Sequence, residues 1–140
     1  MLKVGAVLVT VWSALNFLVA AFVTGATVLH HVPPALQLVM PDADPAKLDP
    51  TLLAVINAQA AFANPAIMAI CTFVVIATWK GVLGGARWLV PTMAISLAPL
   101  QVFAFVSDHF LGEHNLVANV VSGLLLWVGL GLCFAGGRAR

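Results

Sequence analysis

Trp79-Lys80-Gly81-Val82-Leu83-Gly84-Gly85-Ala86-Arg87-Trp88 is the stretch that decides how this chain folds. It carries two cations and no anion, and a tryptophan stands at each end. Long apolar runs lie on both sides of it. Tryptophan favours the headgroup level of a bilayer, and short basic loops stay in the cytoplasm. A connection this short makes its two flanking helices antiparallel neighbours.

Working outward, the rest of the charge follows the same rule. Lys3 precedes the first apolar run, and Arg138 and Arg140 follow the last. Asp42, Asp44 and Asp49 follow the first run, and Asp108 and Glu113 follow the third, with Lys47 the one cation among them. Five basic residues thus alternate along the chain with all five acidic ones. A chain crossing four times places both termini and the 80–87 turn in the cytoplasm.

Composition agrees. Of 140 residues, 62% are hydrophobic and 8% charged, and the mean hydropathy is +1.07. A soluble domain carries about 25% charged residues. Four spans of ~20 residues use most of the length, which leaves no room for a soluble catalytic domain. No basic stripe exists beyond the topology signals, so nucleic acid is not an expected partner.

The expectation is one all-α membrane domain over residues 1–140, an up-down four-transmembrane-helix bundle in the cell membrane. Its spans cover about residues 4–29, 50–79, 88–107 and 115–134, with an outer loop at 30–49. The first run exceeds the 7–15 residues of a signal-peptide core and reads as a retained span. Prolines 33 and 34 close it. Asp49-Pro50 opens the second span, with Asp as N-cap and Pro in the first turn. Pro65 predicts a bend or a broken ladder there. The pair Gly136-Gly137 is expected to end the fourth span. Cys71 and Cys133 read as small buried packing residues.

No charged residue lies within the spans, which argues against a voltage sensor or a carboxylate proton relay. Every side-chain amide of the spans lies at mid-depth or in the outer half. Asn16, Asn57, Asn64, Gln101, Asn119 and Ser122 are the candidate lining of an outward-facing polar vestibule. Asn57 and Asn64 share a face at a spacing of seven, as do Gln101 and Asp108. Buried amides in lipid need partners, so these stripes are expected to face one another or water. The alternative use is hydrogen-bonded glue between helices.

All four histidines fall at the outer face. His30, His31, His109 and His114, with Asp108 and Glu113, are six potential ligands for haem or a divalent metal. His31 opposite His109 or His114 is the pairing such a site requires. Interfacial or helix-capping histidines are the alternative. Neither a nucleophile–base pair nor a phosphate-cradling glycine loop is recognisable.

The outline is similar to that of several small bacterial membrane families, DoxX-like proteins among them; the likeness is architectural and covers the whole chain. Three functional readings follow. The first is a non-enzymatic or accessory protein whose outer polar end binds a small ligand, an ion or a partner subunit. The second is a haem- or metal-binding redox protein using the outer histidines. The third is a transporter subunit that acts as a homo-oligomer in the lipid bilayer.

Overall fold

The computed structural model describes residues 1–30, 34, 36, 44–110 and 116–138, and these are helical with short connections. Helix α1 is Leu2–His30, α2 is Pro50–Ile76, α3 is Leu89–Phe110 and α4 is Leu116–Arg138. A single 3-10 turn, Pro45–Lys47, precedes α2, and a π-helical segment, Ala77–Val82, continues it. No strand occurs among the described residues. Four helical stretches are long and apolar enough to cross a membrane: Leu2–His30, Pro50–Val82, Leu89–His109 and Leu116–Gly137.

The chain forms two compact units. One comprises Met1–Leu15 and Cys71–Arg140, and the other Asn16–Ile70. The first holds a hydrophobic core cluster built from Ala6, Val9 and Trp12 of α1, Val74, Ala77 and Val82, Val90, Met93 and Leu97 of α3, and Leu126, Leu130 and Cys133 of α4. Within α1, α3 and α4 these residues recur every three or four positions, the period that places them on one face, whereas Ala77 and Val82 stand five apart across the π-helical segment.

Close backbone approach joins α1 to α4. A methyl at Gly5 would lie 2.6 Å from the Gly129 carbonyl oxygen and 2.7 Å from the Cys133 nitrogen. One at Gly129 would lie 2.9 Å from Val9, and one at Gly136 would lie 2.5 Å from the Leu2 nitrogen. Small residues let membrane helices touch in this way. Numbers rise along α1 as they fall along α4, so the two run antiparallel. Helix α3 runs antiparallel to α4 by the same test, since Gln101 meets Gly123 while Ala104 meets Asn119.

The second unit contains the remainder of α1, the 3-10 turn and α2 as far as Ile70. Asp49 caps α2 as expected. Its carboxylate accepts from the backbone N–H groups of Thr51 at 2.7 Å and Leu52 at 3.1 Å. The Lys47 ammonium lies 3.5 Å from the Asp44 carboxylate.

Helix α2 continues in α form through Pro65, where proline takes one N–H out of the ladder, and a π-helical segment follows at Ala77–Val82. Two expected end points need correction. Helix α4 reaches Arg138, one residue beyond the expected stop at Gly136-Gly137, and Gly136 makes a close contact with Leu2. The 80–87 turn is shorter than the sequence suggests, since helix extends to Val82 and the reversal occupies 83–88.

Candidate functional site

The candidate site lies at the basic end of the first unit. Leu2 begins α1 there, the π-helical segment ends there, and α4 arrives with Phe134 and Gly137. These elements enclose a cavity of about 110 Å³, completed by Val82, Leu83, Gly85, Arg87, Val90 and Cys133. Arg87 is the one formally charged residue among them.

The π-helical segment sets this geometry. Leu83 N–H donates to the Thr78 carbonyl at 3.1 Å, and Ala86 N–H to that of Gly81 at 2.9 Å. Both bonds reach back five residues instead of four, the signature of a π turn, which recurs at functional sites. Thr78 is fully buried. Its hydroxyl donates to the Val74 carbonyl at 2.7 Å and lies 3.9 Å from the Met93 sulfur. Trp79 is exposed but tied down, donating from its indole to the Thr10 hydroxyl at 2.7 Å. Thr10 in turn donates to the Ala6 carbonyl. The reversal after the segment needs Gly85, whose φ of 102° is a left-handed conformation costly for any side-chain-bearing residue.

The sequence did not single out this cavity. Its walls are ordinary apolar residues, and the π register that shapes it has no signature in hydrophobic period. The run of Gly84-Gly85 before Arg87 was the available signal, and it reads equally well as a plain turn.

Of the expected vestibule residues, Gln101, Asn119 and Ser122 belong to the first unit. The Gln101 amide donates to the Asn119 backbone carbonyl at 3.2 Å, and the Asn119 amide donates to the Ala104 carbonyl at 3.3 Å. These bonds clasp α3 to α4. Ser122 accepts from the Trp12 indole at 2.9 Å, which joins α1 to α4. All three side chains thus serve in helix association. Asn16, Asn57 and Asn64 are half-buried and belong to the second unit. The Asn64 amide donates within its own helix, to the Ala60 carbonyl at 2.8 Å.

Of the expected ligands, His30 and His109 are exposed, and Asp108 is buried on the same face of α3 as Gln101. His31, Glu113 and His114 lie outside the described residues. Among the described residues, no three His, Cys, Asp or Glu side chains are placed to hold a metal ion. No protein-family model, curated protein or solved structure matches the chain.

Proposed function

We propose that this chain is a multi-pass protein of the cell membrane, both termini cytoplasmic, that acts as an accessory component by binding a small ligand rather than by catalysing a reaction. The cavity at the basic end carries this reading. It is apolar-walled, held by helices locked together through glycine contacts, and approached by one arginine. That is the make-up of a binding pocket, in which apolar walls supply affinity and a few polar groups set orientation. Cytoplasmic placement of this end rests on Lys3, Lys80, Arg87, Arg138 and Arg140, which all attach to it in sequence and have no acidic companion.

The binding role is tested on the detergent-purified protein. Compounds released on denaturation are identified by mass spectrometry, for the wild type and for Gly137→Leu. A methyl at Gly137 would meet Arg87 only at 3.8 Å, an ordinary contact, so a larger side chain there fills the cavity without forcing the backbone. A retained compound lost in the variant supports the reading. Identical contents in both proteins would remove its basis.

A further inference from the structure

The chemical class of the ligand can be argued from the same end of the molecule; this step rests on the orientation and binding role proposed above. The walls contributed by Leu2, Val82, Leu83, Val90 and Phe134 are hydrocarbon. A fully polar ligand would lose its hydration there without recompense. An engineered apolar cavity of ~150 Å³ holds benzene. On that scale, a space of about 110 Å³ takes about four carbon atoms. That suits the beginning of an acyl chain and is far too small for a partner helix.

Charge selects the other part of the ligand. Arg87 is exposed, and its Cγ and Cδ pass beside Gly137 at the cavity wall. Lys3 and Lys80 are exposed as well. Trp79 and Trp88, both exposed, flank the segment and mark headgroup depth. The group that meets Arg87 is therefore an anion, at the depth where lipid phosphates sit. Guanidinium pairs with phosphate oxygens through two parallel hydrogen bonds. Basic pockets between membrane helices on the cytoplasmic side are known to take anionic headgroups.

We infer that this cavity seats an anionic glycerophospholipid, with the first carbons of one acyl chain inside it and the phosphate diester on Arg87. An amphiphile without an anionic group would leave Arg87 unused, a zwitterionic headgroup would bring its own cation up to the guanidinium, and a soluble phosphate would leave the apolar walls unused.

Native mass spectrometry of the full chain in detergent tests this, with phosphatidylglycerol, phosphatidylcholine and glycerol phosphate as probes. Phosphatidylglycerol is expected to bind about five- to tenfold more tightly than phosphatidylcholine, and glycerol phosphate not at all. Arg87→Gln should abolish the preference, Arg87→Lys should keep part of it, and Gly137→Leu should weaken both lipids. Lys80→Gln should change phosphatidylglycerol binding less than about twofold, because Lys80 does not line the cavity. Helix content and monodispersity, measured alongside, identify any variant that fails to fold, and a wild-type lipid ratio near one overturns the anionic class whatever the variants do. Equal losses in Arg87→Gln and Lys80→Gln would mean diffuse attraction and overturn the proposal. So would glycerol phosphate binding as well as the lipid. Wild-type binding sensitive to Gly137→Leu but without headgroup preference would sink the anionic class and leave the binding role standing. Lipid binding that ignores Gly137→Leu would remove both.

Discussion

At the scale of single residues, the chain settles most of its intramembrane hydroxyls without any neighbour. Thr10, Ser13, Thr24, Thr27, Thr78 and Thr92 each donate to the carbonyl four residues earlier. This local bond is always within reach of Ser and Thr in a helix. Their phases along the helices therefore do not require facing partners, unlike those of the Gln101 and Asn119 amides. Glycines carry more of the tertiary information. Gly5→Ala should destabilise the protein by about 1–3 kcal/mol, because the added methyl meets the backbone of α4 and neither helix can yield cheaply. Gly131→Ala, which meets nothing within 4 Å, serves as the control and should be neutral or slightly stabilising. Thermal or denaturant unfolding in detergent measures both. Asp49 offers a pH test. The backbone N–H of Leu52, then that of Thr51, holds its carboxyl below the ordinary Asp value. A depressed folded-state value means the cap is fully present above the unfolded pKa and is lost as pH falls through the lower folded one. The Thr51 and Leu52 amide resonances should titrate with a midpoint below the ordinary Asp value, and should stop titrating in Asp49→Asn, which keeps a capping oxygen.

At the scale of elements, two devices position the candidate site. The π-helical segment Ala77–Val82 delivers Val82 and Leu83 to the cavity while Trp79 stays outside and bonds to Thr10. The α3–α4 clasp works differently, since both amides donate to backbone carbonyls of the neighbouring helix rather than to each other. Replacing Gln101 by Met or Asn119 by Leu should each cost about 0.6–2 kcal/mol, the range for hydrogen bonds between membrane helices. Unfolding titrations in detergent measure these costs. A cost near zero for both would show that packing alone holds the pair. Element lengths carry a further message. Leu2–His30 has 29 residues and Pro50–Val82 has 33, against the ~20 that a bilayer requires. Stretches this long are accommodated by tilt or by projection beyond the hydrocarbon. The sequence already signalled this for the second span. It failed to locate the π turn because one extra residue per turn barely alters an apolar pattern.

At the scale of the whole molecule, the orientation proposal has a direct test. A reporter fused after Arg140 should register cytoplasm, and one placed near Lys47 should register the outside. The opposite result would carry the cavity and Arg87 to the outer face and remove the argument for an inner-leaflet lipid. The existence and number of the four long helices were determined by the sequence itself, because apolar length and charge spacing act locally and add up along the chain. Asp49-Pro50 likewise announced the start of α2, since capping concerns only the few amides that follow. What each polar group does was decided by tertiary structure. Gln101 reaches the Asn119 carbonyl, and Trp12 reaches Ser122, across 110 positions of sequence. The cavity at the basic end was also a tertiary outcome. It is formed where the first residues of α1, the π turn and the last turns of α4 converge, and a void between elements depends on their packing, which no local pattern encodes.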